Sequence, residues 1–218
     1  MKRFLAIGGG EMRAQSTINN YAVSLIDREA LVGRTKPYAV FLPQGSHESK
    51  PYTNSFFKTY GKLKCKADVI LYQNGEMDSE RVATKLRKAD IIYIGGGDMR
   101  YMLDEFTKMN IGDLLIEAYE RGALIVGNSA GAMCMYERAL SDYMIARGEG
   151  DDYVMVEGYG AISGACVAHA DESARVAKAE AMHIDGTYIR ANTAIYYEDG
   201  VAVDTIVESG EESQDVGL

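Results

Sequence analysis

Tryptophan is missing from this sequence, and proline occurs only three times in 218 residues. No Pro-rich or Gly/Ser-rich linker interrupts the chain and no internal repeat divides it, so one domain spanning residues 1–218 is expected. Cysteine is equally sparse. Cys65, Cys134 and Cys166 lie far apart, form no CxxC pair and have no histidine at zinc-ligand spacing, which argues against a structural zinc or a disulfide framework. Basic residues number 23 against 32 acidic ones, a net charge of -9, and a nucleic-acid partner, which draws on concentrated Lys and Arg, is not expected. Long apolar runs are lacking too. Lys2-Arg3 precedes Phe4-Leu5-Ala6-Ile7, but Gly8-Gly9-Gly10 stops that stretch far short of a signal-peptide core. The expected location is the cytoplasm, with no membrane partner.

What is present is ordinary globular composition, 47% hydrophobic and 25% charged, which excludes a disordered chain. Short apolar runs alternate with longer amphipathic stretches, the pattern of a parallel sheet covered by helices on both faces. The strands expected are Phe4–Ile7, Tyr38–Pro43, Asp68–Tyr72, Ile91–Ile94, Leu124–Gly127, Met155–Tyr159, Ala165–Val167, Ala194–Tyr197 and Val201–Ile206. Helices are expected over Thr17–Val32, Ser79–Lys88 and Ile111–Arg121, each apolar on one side. Gly148–Asp152 reads as a polar loop, and the acidic stretch Glu208–Asp215 as a frayed end. In open α/β sheets, sites form where strand C-termini meet the following loops. Gly8–Gly10, Gln44–His47, Gly95–Asp98 and Asn128–Ala132 all satisfy that rule and are expected to share one edge.

The most informative segment is Leu124-Ile125-Val126-Gly127-Asn128-Ser129-Ala130-Gly131-Ala132, a hydrophobic strand running into Gly-x-Ser-x-Gly and then into a helix-forming stretch. Small residues at 127 and 131 permit a sharp turn that lifts the Ser129 hydroxyl above the sheet, with the Ala130 N–H placed to meet an oxyanion. A serine hydroxyl needs a base, and the chain offers His47, His169 and His183. His183 follows a helical run; His47 follows a strand on the correct edge; His169 follows the Ala165–Val167 strand and comes after the serine in chain order. His169 is therefore the expected base. A carboxylate should orient it, and Asp142, then Glu137, then Asp171 and Glu149 are the candidates. Ile91–Ile94 ends in Gly95-Gly96-Gly97-Asp98, where Gly96 or Gly97 supplies a second oxyanion donor. No GxGxxG pattern is present and no Lys-Ser/Thr follows the glycines, so neither a dinucleotide nor a P-loop nucleotide is expected.

Together, GGGD at 95–98, GNSAGA at 127–132 and AHADESAR at 168–175 resemble the dipeptidase E and cyanophycinase family of serine peptidases. The resemblance extends to Phe41–Ser49, Tyr52, Phe56, Arg121-Gly122 and the late Tyr196–Gly200 segment. It implies a three-layer, flavodoxin-like sandwich akin to class I glutamine amidotransferases, no metal or cofactor, and hydrolysis of small peptides with an acidic N-terminal residue. It also implies a homodimer. In those terms Ser129 matches the nucleophile, His169 the base, Gly97 with Ala130 the oxyanion hole, and Asp142 the triad aspartate, with Glu137 as the glutamate option. Two positions depart from the family pattern: Ala168 replaces a proline before the histidine, and Asp98 replaces an Asn or Thr after the glycines, adding negative charge where the substrate would lie. An acidic substrate then calls for a cationic clamp. Arg175, six positions after His169, is the first candidate and Arg100 the second. Against hydrolysis of dipeptides stand a cyanophycinase-like exopeptidase, a noncatalytic binding module of the same fold, and an amidase. The last would place cysteine at the elbow, whereas Cys134 lies five residues beyond Ser129.

Overall fold

The computed structural model describes residues 1–208 apart from positions 28, 30, 32, 74 and 76. Among the described residues, a central sheet is built from β1 (Arg3–Ile7), β2 (Tyr38–Leu42), β3 (Lys66–Val69), β4 (Ile91–Ile94), β5 (Leu124–Asn128), β10 (Thr193–Glu198) and β11 (Val201–Val207). Its order is β11-β10-β1-β5-β4-β2-β3. The five strands from β1 to β3 in that order run parallel, and β10 and β11 close the other edge antiparallel.

Alternation along these strands divides the core. Leu5 and Ile7 face one side with Phe41, Tyr93 and Val126, packed on Ile18 and Ala22 of α1 (Ser16–Ser24) and Phe56 and Tyr60 of α2 (Lys50–Lys62). Phe4 and Ala6 face the other with Val40, Ile92 and Ile125, under α3 (Ser79–Lys88), α4 (Met99–Lys108) and α5 (Ile111–Glu120). β1, β2, β4 and β5 are buried on both faces, which explains why they read as unbroken apolar runs, whereas of the edge strands β3 is at most half-buried and β11 is largely exposed. Each aromatic ring so buried stabilises the fold by about 2 kcal/mol, and Phe41 stacks on Phe56 with centroids 5.0 Å apart.

A second sheet departs from the expected architecture. The stretch after Ser129 forms only a four-residue helix, α6 (Ala130–Met133), before β6 (Tyr136–Ser141) begins; α7 (Tyr143–Arg147) follows. β6 joins β7 (Val154–Glu157), β8 (Ile162–Ala168) and β9 (Gly186–Ile189) in the order β7-β6-β8-β9. This sheet lies over α6 on the side of α3–α5, and α8 (Ser173–Ala181) covers its far face at Leu140 and Val167. β6 and β9 were not expected as strands.

Other boundaries move for local reasons. The helix expected over Thr17–Val32 stops at Ser24, and the Asp27 carboxylate takes the Glu29 N–H in a turn at 2.9 Å, competing with helical bonding. Val32 itself lies outside the described residues. The strand expected at Asp68–Tyr72 leaves the ladder early because Glu48 accepts the Tyr72 N–H at 2.7 Å. No helix among the described residues is long and apolar enough to cross a membrane.

Glu208 does not fray. Its carboxylate accepts the Thr17 and Ile18 N–H groups at 2.9 and 3.2 Å and the Ser16 hydroxyl at 3.1 Å, satisfying orphan donors at the start of α1. Residues 209–215 of the expected frayed end lie outside the described residues. Partial burial alone would raise the Glu208 carboxyl, but the donated hydrogen bonds outweigh it and hold the pKa below the usual glutamate value. A depressed folded pKa contributes stability above the unfolded value, about 4.3, and loses it as pH falls through the folded value. Glu208→Gln is therefore expected to cost about 1 kcal/mol in urea denaturation at pH 7, with the gap closing in acid. Equal stabilities at pH 7 would show that the carboxylate does not anchor α1.

Candidate active site

The four glycine-bearing segments meet at the C-terminal edge of the parallel strands. The Ser129 N–H donates to the Ile7 carbonyl at 2.9 Å, the Asp98 N–H to the Gly45 carbonyl at 2.8 Å, and the Asn128 side chain to the Gly10 carbonyl at 3.2 Å. Around them opens a cavity of about 740 Å³ lined by Glu11, Arg13, Tyr52, Gly96, Gly97, Asp98, Asn128, Ser129, Asp142 and His169, among others. A wider cleft of about 970 Å³ lies at the opposite edge, between Arg34, Lys66, Lys88 and Arg121, and contains none of the expected site residues.

Ser129 occupies φ 53°, ψ −114°, a region a non-glycine residue enters only under constraint. The constraint is the close approach of α6 to the sheet: a Cβ on Gly131 would lie 2.1 Å from the Ile94 carbonyl oxygen, so only glycine fits. The strain, about 1–3 kcal/mol, holds the hydroxyl proud of the sheet edge. With four residues α6 carries little macrodipole, so any help to negative charge comes from local amides. Ala130 is the first helical residue and its N–H has no intrahelical acceptor. Of the two glycine candidates, Gly96 donates toward the Tyr52 hydroxyl at 3.4 Å, whereas among the described residues Gly97 meets no acceptor.

His169 comes from the second sheet, immediately after β8. Its N–H donates to the Gly8 carbonyl at 2.8 Å, and its Nε2 lies 2.8 Å from Ser129 Oγ. The imidazole passes so close to the first glycine loop that a Cβ on Gly9, where φ is 136°, would fall 2.2 Å from Cε1. Ala168, in place of proline, ends β8 paired with Ile189. His47 stacks on Tyr101 with centroids 4.0 Å apart and does not line the cavity; His183 follows α8 and does not either.

The expected carboxylates do not meet the imidazole. Asp142 lines the cavity, but its Oδ2 takes a hydrogen bond from Arg175 at 2.8 Å. Glu137 lies on β6 away from the cavity and accepts the Gly164 N–H at 2.9 Å. Asp171 turns to the Ala191 N–H at 2.7 Å, a bond that with the nearby His169 and Arg190 keeps its carboxyl below the usual range. Glu149 faces Arg147 at 3.7 Å. The carboxylate that faces His169 is Glu172, whose Oε1 stands 3.7 Å from Nδ1, an ion-pair distance longer than a hydrogen bond. The i, i+3 spacing was available in the sequence, but the left-handed turn at His169 that makes it productive was not.

Neither proposed clamp reaches the cavity. Arg175 is 1% exposed, bound to Glu172, Asp142 and the Leu140 carbonyl, and Arg100 pairs with Asp104 at 2.9 Å. Asp98 caps α4 through the Tyr101 N–H at 2.8 Å and is bridged by Arg147, so the negative charge expected from it is offset. The missed residue is Arg13, which lines the cavity beside Glu11 and, among the described residues, pairs with no carboxylate. Asn128 was also overlooked as a wall of the site. Its amide is buried, its Nδ2 donates to Gly10 O and to the Tyr52 hydroxyl at 3.1 Å, and among the described residues its Oδ1 meets no donor. Cys134 is buried directly after α6 and donates to the Gly131 carbonyl at 3.3 Å; burial raises its thiol pKa, unlike that of an exposed nucleophile.

Known peptidases are similar to this chain in sequence and in fold. The uncharacterized peptidase YgaJ of Bacillus subtilis (strain 168) is 28% identical over 146 residues, 65% of this chain and 60% of that protein. The uncharacterized peptidase Lmo0363 of Listeria monocytogenes is 32% identical over 82 residues, 36% of this chain and 40% of its own length. The chain thus spans less than two thirds of these curated relatives. In three dimensions it matches a crystal structure of a putative peptidase E protein from Listeria monocytogenes EGD-e with a TM-score of 0.69 and 18% identity, over 96% of this chain and 100% of that one. A peptidase from an acI-B1 Actinobacterium matches with a TM-score of 0.68 and 18% identity, over 90% of this chain and 83% of that one. The model for peptidase family S51 matches residues 4–214, nearly the full length, and the chain belongs to that family.

Proposed function

We propose that the protein is a serine peptidase that hydrolyses small peptides with an acidic N-terminal residue. The observation that carries the reading is the 2.8 Å approach of Ser129 Oγ to His169 Nε2 at a strained elbow inside an open cavity. With the imidazole proton on Nδ1, Nε2 accepts the hydroxyl proton as Oγ attacks the scissile carbonyl. The developing oxyanion is received by the N–H groups of Gly97 and Ala130. His169 then returns the proton to the leaving amine, and water, activated by the same nitrogen, releases the acyl group from Ser129. Glu172 takes the orienting part that the sequence assigned to Asp142, stabilising the imidazolium from the Nδ1 side.

Substrate choice follows from the charges that line the cavity. Asp98 and Asp142 each have an arginine partner, and Arg13, which lines the cavity beside Glu11, is the cation there that can meet a substrate carboxylate. This supports the acidic preference that the family resemblance implies, through a different arginine from those the sequence suggested.

A serine-directed phosphonate should form an adduct that maps by mass spectrometry to Ser129, and Ser129→Ala should lower kcat/KM for Asp-X and Glu-X dipeptides by at least about 10³-fold. Labelling elsewhere, or undiminished hydrolysis by the variant, would overturn the mechanism. Arg13→Met is expected to cost about tenfold or more in kcat/KM on those substrates and little on peptides with a neutral N-terminal residue. An equal loss on both would remove Arg13 from side-chain recognition. Gly9→Ala should displace the imidazole and reduce kcat by on the order of 100-fold in a protein whose circular dichroism is unchanged.

A further inference from the structure

Among the described residues Arg175 is the largest fully buried side chain and the one buried cation, in an interior whose other buried polar side chains include Gln15, Asn19, Gln44 and Asn128. Burying it is costly unless every donor is satisfied, and the partners are specific. Nε donates to Glu172 Oε2 at 3.0 Å, NH2 to Asp142 Oδ2 at 2.8 Å and NH1 to the Leu140 carbonyl at 3.3 Å, while the guanidinium carbon lies 5.0 Å from the Tyr153 ring centroid. The Glu172 carboxylate is therefore divided: Oε2 belongs to the buried arginine, and Oε1 is turned to His169 Nδ1 at 3.7 Å. Both carboxylates are half-exposed, so the arginine is the fixed end of the arrangement.

We propose that Arg175 is a positioning residue for the Ser129–His169 pair, acting through Glu172. It fixes which carboxylate oxygen faces the imidazole, and it draws off part of the negative charge that would otherwise favour the imidazolium. The other charged groups around His169 are Asp171, committed to the Ala191 N–H, with Arg190 near it; Glu11, Arg13, Asp98 and Asp142 line the same cavity, the two aspartates each with an arginine partner. None of these joins Glu172 as Arg175 does. The assignment rests on the hydrolase reading only for its kinetic consequence; the effect on the imidazole stands by itself.

The test is an NMR titration of the His169 ring resonances, assigned by their loss in His169→Gln, alongside pH profiles of kcat/KM. Arg175→Met is expected to raise the His169 midpoint and the acid limb of the profile by about half a unit or more, and Glu172→Gln to lower both by a similar amount. Arg175→Lys, which keeps the charge and loses the fork, should fall between wild type and Arg175→Met. If the buried substitution does not fold, Glu172→Gln and Arg175→Lys decide the matter, because a midpoint unmoved in both overturns the proposal. Shifts of the same sign for Arg175→Met and Glu172→Gln would overturn it as well. A wild-type protein that hydrolyses no peptide, yet shows the opposed ring shifts, would sink the peptidase reading and leave the positioning role standing.

Discussion

The backbone at residue 129 is the constraint on which the site depends. A left-handed serine is tolerable only where surrounding structure over-determines it. Here the Ser129 N–H is held by Ile7 of β1, its carbonyl accepts the Ala132 and Met133 N–H groups, each at 2.9 Å, and the Gly131 backbone is pressed against β4. These contacts reach two strands of the parallel sheet, β1 and β4, and the helical turn that follows β5. A side chain on so rigid a mount loses little freedom when it meets a partner, and its hydroxyl sits at the reach of a second, independently built element.

That second element explains how far the sequence could be read. β1, β2, β4 and β5 were legible because burial on both faces leaves them as apolar runs, and the elbow was legible because Gly-x-Ser-x-Gly follows such a run. The same logic failed from Met133 to Ser141, where the apolar run at 133–136 continues straight out of a helix start; an apolar stretch of that length has no periodicity to separate helix from strand. Asp142 and Glu137 were expected after the elbow helix, and with β6 unrecognised nothing in the sequence set the direction of either side chain. In the fold Glu137 points to β8 and Asp142 is drawn to Arg175.

The charged residues illustrate a related limit. Asp98, Arg100, Arg175 and Arg13 are indistinguishable in a sequence as surface or site, because their availability is settled by which opposite charge reaches them first. Asp104 takes Arg100 one helical turn away, and Arg147 reaches Asp98 from α7, a five-residue element none of whose residues is buried. Arg175 was assigned outward to a substrate and is found inward. Of the three histidines, His169 is the one that the edge of the sheet brings beside Ser129.

The two members of the proposed Ser129–His169 pair ride on different sheets. Ser129 belongs to the central one and His169 to the smaller one, and the two are joined near the site by the His169–Gly8 backbone bond and deeper in the core by the hydroxyls of Tyr136 and Tyr197, 2.7 Å apart. Reactivity in this architecture is thus a gauge of how the halves are seated. A slip of an ångström between the layers would leave each well ordered and its chemistry silent.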